Sequence, residues 1–398
     1  MNDQKLMLSC FLLFIISVTP AVGTAQKPEP VIDCATAYPT RDKPQSKLWY
    51  AKDCWWAWLP FGDQGGRLWR RGPGGAWSPQ TRLDSSLKAL PGRADIWASG
   101  RGDTVAAALV EDKLLAVACL LWNPGIESYE LSGAPIRWRA LSEVETITID
   151  RQGDGAFWTA YPEDVPEGRR IVARKIDPPA AQSGLGEPVI LAEGLYEDEI
   201  CAVCVLGDGS VGVMWSDQHA EMLFFRTHSP KADPASWSAA DTVAAGDKTA
   251  DDHLNFCRPP ASSGPVLLAA TKTSLDSVGL PLLSLRVLET GGRWHSVPFA
   301  LLSPDSHPSR PIVIWSSGRP VCLYTVYGPG KSFERLNSIT LQAFFGEGLK
   351  TSGPHRVVIP AVKGLNDLTG PKQAPSGASC LILASDREGK VYEAFIGR

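Results

Sequence analysis

Short apolar runs return about every 55 residues along this chain, and a fixed period of that size demands a repeat architecture. The runs are CWWAWL at 54–59, LLAVACL at 114–120, AFWTAY at 156–161, VGVMW at 211–215, VLLAATK at 266–272, VCLYTVY at 321–327 and CLILASD at 380–386. Their centres lie near Ala57, Ala116, Trp158, Trp215, Ala270, Tyr324 and Leu383, with spacings between 42 and 59 residues. Most follow a turn signal such as GDG, DGS, SSG or SGR, with a further apolar stretch on its other side. Pairs of such stretches predict antiparallel hairpins. Beyond the first 25 residues no segment of ten or more carries a helical period.

A second repeat echoes the first. A Trp beside small or polar residues returns near the end of several units, at Trp77, Trp138, Trp237 and Trp294, as if one outer strand recurred. Four antiparallel strands per unit, seven times over, predict an all-β, seven-bladed β-propeller rather than a sandwich, with a six-bladed ring or two packed β domains as the alternative. The blades fall near 46–90, 91–141, 142–192, 196–245, 250–302, 306–362 and 369–398. The last is one strand short. A strand around Val31–Tyr38 supplies it and closes the ring, which removes the open edges of a linear array.

Residues 1–25 have the pattern of a secretory signal: Lys5, an apolar stretch from Leu6 to Val18, then small residues up to Ala25. Residues 26–45 form a lead-in, 46–398 a single propeller, and 177–188 and 229–236 loops between outer strands. No later segment approaches the length of a membrane span, so the expected product is secreted or periplasmic. Cys10 lies inside the apolar stretch, which argues against a lipid-modified cysteine. Eight cysteines remain after it, compatible with disulfides in an oxidising compartment, Cys34 with Cys54 being the preferred pair. Cys201 and Cys204 form a C-x-x-C, but residues three apart on a strand face opposite ways, which does not suit zinc; buried thiols are the reading for these two and for Cys119 and Cys322. A net charge of −4 with scattered basic residues excludes nucleic acid as a partner.

Gly207-Asp208-Gly209-Ser210-Val211-Gly212 matches G-x-G-x-x-G, yet it leads into a strand where a phosphate loop needs a helix N-terminus, so it reads as a hairpin turn. The chain has no H-E-x-x-H, G-x-S-x-G or P-loop, which leaves zinc-protease, serine-hydrolase and nucleotide-triphosphatase readings without support.

In a propeller the innermost strands line the central channel, and residues entering them ring its mouth. Those segments hold Arg93 and Asp95; Glu143 and Glu145; Glu197, Asp198 and Glu199; Asp251, Asp252, His253 and Asn255; His307 and Arg310; and Lys372 and Gln373. Alternation places His253 and Asn255 on one strand face, able to address one ligand, and Lys272 follows in AATKTS. A structural histidine bonding an adjacent turn is the competing reading. His307, Arg310 and Lys372 from adjacent blade entries predict a positive pocket for a carboxylate or sulfate on a sugar. Trp122, Tyr196 and Tyr327 offer stacking faces, unless they are core.

The run VGVMWSDQ, FFRTHSPKADPASWSAADTV, ADDHLNF, AATKTS, HPSRPIV, TGPKQ and LILASDREGKVY resembles the secreted bacterial propellers of the BNR-repeat, sialidase-like group. That group includes ulvan lyases and a rhamnosidase-like branch with a D-D-H-N-type signature whose His is catalytic. The signature maps onto Asp252 and His253, with the Asn one position late at Asn255. Sialidases proper carry an Arg-Ile-Pro motif and Asp-boxes; here Arg310-Pro311-Ile312 stands instead and the box from Asp150 to Trp158 is degenerate, so sialidase activity is not implied. The resemblance implies a carbohydrate-active protein, lyase or glycosidase, acting as a monomer on a polysaccharide or oligosaccharide that bears uronate or sulfate. For a lyase, Arg310, Asn255 and Lys272 would surround the carboxylate, with His253 as base and His307 or a Tyr as acid. Glycoside hydrolysis would instead need paired carboxylates, for which Asp252, Glu199 and Glu145 are candidates. No cofactor is implied beyond a structural calcium at Asp251 or Asp252. A non-catalytic propeller that binds a glycan or protein is the alternative, since fold alone does not separate the two.

Overall fold

Burial inside the apolar runs decides the architecture. Every residue of Cys54–Pro60 is buried, with Trp56 and Trp58 entering one hydrophobic layer and Trp55, Ala57 and Leu59 entering the layer on the opposite face. Cys201–Val205 repeats this, with Cys201, Val203 and Val205 in one layer and Ala202 and Cys204 in the next. A strand reads as a continuous apolar run when both faces of its sheet are covered. The computed structural model, which describes residues 28–177, 184–329, 335–346, 348–373, 375 and 379–397, accordingly shows seven antiparallel sheets separated by seven hydrophobic layers. It is a seven-bladed β-propeller, and the six-bladed alternative falls. Helix among the described residues is confined to Asp84–Leu87 and the 3₁₀ turns Thr81–Leu83 and Ala261–Ser263.

The innermost strands are Leu48–Ala51, Arg93–Ala98, Thr148–Arg151, Cys201–Val205, Leu254–Cys257, His307–Ser316 and Asn366–Thr369. Six blades have four strands; in the second, Ser128–Leu131 and Ile136–Arg139 share the outer position along Leu114–Asn123. The seventh takes its outermost strand from the other end of the chain, Ile32 pairing with Val391 and Asp33 with Lys390. Trp77, Trp138 and Trp294 lie on outermost strands, whereas Trp237 precedes its strand and packs on Trp158 from the connection. The GDG segment is a hairpin turn, closed by Leu206 N donating to Ser210 O and Gly209 N to Leu206 O, with Gly209 at φ 85°.

The expected Cys34–Cys54 disulfide is corrected. All eight described cysteines are buried thiols, and Cys34 and Cys54 lie in hydrophobic layers on opposite faces of the first blade, so a whole sheet separates them. Burial pushes the Cys119 thiol up to about 11 and those of Cys201, Cys204 and Cys322 higher still. Residues 1–25, read as a signal, and residues 178–183 of the 177–188 loop lie outside the described residues. Among the described residues no helix is long and apolar enough to cross a membrane.

An innermost strand has one unpaired edge facing the channel, and its N–H groups need acceptors. Side chains of neighbouring blades supply them. Asp95, wholly buried, accepts from Ser46 N at 2.7 Å and Ile149 N at 2.7 Å, joining the first and third blades through the second. Thr148 and Asp150 accept from Val203 N and Val205 N of the fourth blade at 3.0 and 2.7 Å. Asn255 Oδ1 accepts from Val313 N at 3.1 Å, and Thr369 Oγ1 from Lys47 N at 3.0 Å.

The lead-in crosses the mouth where the innermost strands begin. Thr40 donates to Asp367 O of the seventh blade at 2.6 Å, Lys43 pairs with Asp252 of the fifth, and Gln45 donates to Ile147 O at the entry to the third at 2.9 Å. Asp42 meets Lys47 and Arg93 at 3.6 and 3.3 Å. Residues 44–49 are all buried. The channel is therefore plugged from one side by its own N-terminal segment.

Candidate functional site

Asp251, Asp252 and His253 immediately precede the innermost strand of the fifth blade, and Lys272 ends the strand paired with it. His253 Nδ1 lies 2.5 Å from Asp251 Oδ1 and 2.5 Å from Asp252 Oδ1, while Lys272 pairs with Asp251 and Lys43 with Asp252. His253 is only 7% exposed and its Nε2 is buried with no partner. Burial first, then the nearby Lys43 ammonium, pushes His253 down to about 3, so the imidazole is neutral at neutral pH. Burial also pushes Asp251 up, but His253 and Lys272 outweigh it and hold the carboxyl well below the usual range.

A second cluster lies beside it, on the sixth and seventh blades. Arg310 sits at φ 53° within an irregularity between Ser309 and Ile312, and Asp367 at φ 27° within one between Asn366 and Leu368. Left-handed backbone at two non-glycine positions is uncommon, and bulges re-aim side chains. Here they aim them at each other: Arg310 Nη1 donates to Asp367 Oδ1 at 2.5 Å and Nε to the Tyr327 hydroxyl at 2.6 Å, which donates to Asn366 Oδ1 at 2.8 Å. Burial pushes the Tyr327 phenol up, against the opposing pull of Arg310, so it stays protonated at neutral pH. Asp367 and Tyr327 hold Arg310 more firmly charged than usual despite its burial. The exposed His307 ring lies 6.2 Å from that of Tyr327, and burial of its inner edge, with Lys272 and Arg335 nearby, pushes it down and keeps it neutral. Both residues line a surface hollow of about 290 Å³, which Arg335 and Asp305 also border.

No protein-family model matches the chain, and no curated protein matches it significantly. Solved structures do. An ulvan lyase bound to -[GlcA(1-4)Rha3S]- is 10% identical, with a TM-score of 0.50, over 93% of this chain and 96% of that one. The polysaccharide lyase Uly1 is 11% identical, with a TM-score of 0.44, over 94% of each chain. A Penicillium chrysogenum α-L-arabinanase complexed with arabinobiose is 11% identical, with a TM-score of 0.47, over 79% of this chain and 99% of that one. At 10% identity the likeness to the ulvan lyase shows the propeller fold alone.

The residues expected to catalyse or to hold substrate, Asp252, His253, Asn255, Lys272, His307, Arg310, Lys372 and Gln373, do not form one pocket. Asp252, His253, Lys272, His307 and Arg310 gather at the mouth where the innermost strands begin. Asn255 lies deeper in the channel wall, donating to Pro44 O at 3.5 Å and holding Val313. Lys372 and Gln373 line the cavity that opens at the other end. The innermost strand of the seventh blade is Asn366–Thr369, so TGPKQ leaves that strand where the sequence pattern had it entering. His253 has Nε2 shut from solvent, which leaves it no surface to offer a polymer. Asp367, Arg335 and Lys43 escaped the sequence reading: Lys43 stands in a segment without strand pattern, and Asp367 in NDLT, too short and polar to read as a strand.

Asp251, Asp252 and His253 hold donor atoms within 4.8 Å of one another, the spacing of a metal site. Lys43 and Lys272 already neutralise the two carboxylates, and a calcium ion there would sit between two ammonium groups, so the donor set does not fit that ion. Among the hydrolase candidates, Asp252 is engaged by Lys43 and His253, and Glu199 is buried, pushed up by desolvation, with Gln218 N donating to it at 2.5 Å.

Proposed function

We propose that this propeller acts on an acidic polysaccharide by β-elimination at the His307–Tyr327 hollow. One observation carries this: His307, with a neutral, exposed imidazole, and Tyr327, with a protonated phenol, line one open hollow, and Arg310 is fixed on the phenol oxygen at 2.6 Å. Elimination beside a uronate needs a cation to neutralise the carboxylate, a base for the α-proton and an acid for the leaving oxygen. Arg335, Lys272 and Arg310 supply positive potential. His307 takes the proton from the carbon beside the carboxylate, the electron pair forms the carbon–carbon double bond, the glycosidic C–O bond breaks, and Tyr327 protonates the departing oxygen. The base thus moves from His253 to His307, because only the latter is open to a polymer. His253 then holds the start of the fifth blade through Asp251. The existence of propeller lyases of this overall form supports the reading. Since such polymers lie outside the cell, the proposal includes export through residues 1–25, checked by sequencing the N-terminus of the secreted product.

The test is incubation of the purified protein with uronate-bearing and neutral polysaccharides, following reducing ends together with the ultraviolet absorbance of the unsaturated product. Both rising on a uronate polymer supports elimination. Reducing ends alone indicate hydrolysis, and the carboxylates would then need reassignment. One observation favours a second reading, a non-catalytic glycan- or protein-binding propeller: Lys272 and Arg310 are already paired with Asp251 and Asp367. Saturable binding of a uronate polymer without turnover would establish it.

A further inference from the structure

The far half of the channel has a different character from the plugged mouth. It is a cavity of about 600 Å³ that opens where the innermost strands end. Pro44 and Ser46 of the lead-in line its inner end, and Lys372 reaches across from the seventh blade to Asp95 and Ile149 O, both at 2.5 Å. A channel open at both ends is a conduit; one plugged from behind is a pocket.

The pocket is graded. Deep inside, the polar groups are engaged: Thr148, Asp150 and Asn255 hold backbone N–H groups of neighbouring blades, and Lys372 is paired. What they leave on the walls is largely apolar, from Phe256, Pro44, Pro259, Pro260 and Pro371, beside the backbone edges of residues 202–205 and 312–314, whose valine and isoleucine side chains pack between blades. Toward the opening stand Arg151 and Arg258. Arg151 donates to Gly155 O and lies 5.1 Å from the centre of the Trp97 ring, while Arg258 donates to Val205 O. Among the described residues neither has a carboxylate partner, and Gln373 lies on the same lining.

We propose that this cavity is a binding site for a small amphipathic organic anion, its apolar body inserted between the blades and its carboxylate or sulfonate held at the opening by Arg151 and Arg258. With its polar side chains already engaged and the rest of its side-chain lining apolar, the interior suits a largely apolar ligand body better than a polyhydroxylated sugar. Two guanidiniums without counter-ions at the rim select a negative end. The site is separate from the His307–Tyr327 hollow and stands whether or not that hollow is catalytic.

The test is a fluorescence titration of the full chain with anilinonaphthalene sulfonate, followed by displacement with decanoate and with decanol. One saturable site is expected, displaced by decanoate at lower concentration than by decanol. Binding should weaken about tenfold or more when both arginines become Ala, as for loss of a charge-assisted bond. Ala261→Trp, at an exposed turn on the cavity lip, should block the site with the melting temperature unchanged. If the double variant melts lower, Arg258→Gln at an exposed position replaces it. Unweakened binding in the rim variants or in Ala261→Trp, equal displacement by decanol, or no saturable binding at all would each overturn the proposal.

Discussion

A neutral imidazole in a buried ionic cluster has a measurable consequence. His253 in the folded chain is pushed down to about 3 from an ordinary 6.5. Between those values the unfolded chain binds a proton that the folded chain does not, so stability rises with pH there and is lost as pH falls below about 6.5. Asp251, also held low, adds to the loss in more acid solution. Denaturant titrations from pH 7 to 4 should show this slope, at most about 1.4 kcal/mol per pH unit for one proton, and His253→Asn should flatten it. An unchanged slope would mean that His253 takes up its proton in the folded state. At the hollow, Tyr327→Phe removes the acid while leaving the ring in place, and His307→Ala removes the base; each should lower turnover of a uronate polymer by about 10²–10⁴-fold. His307→Ala should barely change the melting temperature, whereas Tyr327→Phe strips Arg310 Nε and Asn366 Oδ1 of their shared partner and should cost about 1–3 kcal/mol of stability. His307 is pushed down too, so activity should persist to a pH below the ordinary histidine range and fall as the folded-state value is crossed. A rate that instead rises only in alkali would point to Tyr327 acting as the base.

The innermost strands show how elements are joined when their edges cannot pair. Asp95 carries three partners, Ser46 N, Ile149 N and Lys372 Nζ, and has no exposure. Asp95→Ala leaves two edge N–H groups without their acceptor and the Lys372 ammonium with only Ile149 O and no counter-charge, and should destabilise by about 3–5 kcal/mol. Lys372→Met removes the charge but keeps the stem, so in the double variant the loss should fall short of the sum by about 0.5–3 kcal/mol. Denaturant unfolding of the four proteins measures the coupling, and strict additivity would mean that the ion pair contributes nothing to joining the blades. The same element logic explains the misplacement of Lys372 and Gln373 in the sequence. An innermost strand four residues long, polar and interrupted at Asp367, gives no period to read, so the segment following it looked like the entry.

Across the whole molecule, legibility followed burial on two faces. Strands such as Cys54–Pro60 and Cys380–Ser385 are covered on both sides and announce themselves as apolar runs, so the blade count could be read from the chain. The site could not, because it depends on which end of each short inner strand faces which mouth, and on two left-handed bulges that no residue type marks. The plug was equally hidden, since residues 40, 42 and 44–47 are buried by contacts of the lead-in with four distant blades and carry no pattern of their own. Ring closure makes the final prediction. Among the described residues the outer edge of Lys390–Ile396 pairs with Ile32 and Asp33 alone, with Val31 N and Cys34 N extending the ladder to Val391 O and Gly389 O at 2.7 and 3.0 Å. A chain truncated to begin at residue 39 keeps seven inner strands but exposes that edge and the layer beneath Ile32, a template for pairing between molecules. It should melt several degrees lower and associate with rising concentration, as scanning calorimetry and sedimentation would report. A synthetic peptide of residues 28–38 should restore the melting temperature by adding itself as the missing strand. If the truncated chain melts with the full one and stays monomeric, the seventh blade holds on three strands and the ring owes its closure to the lead-in plug.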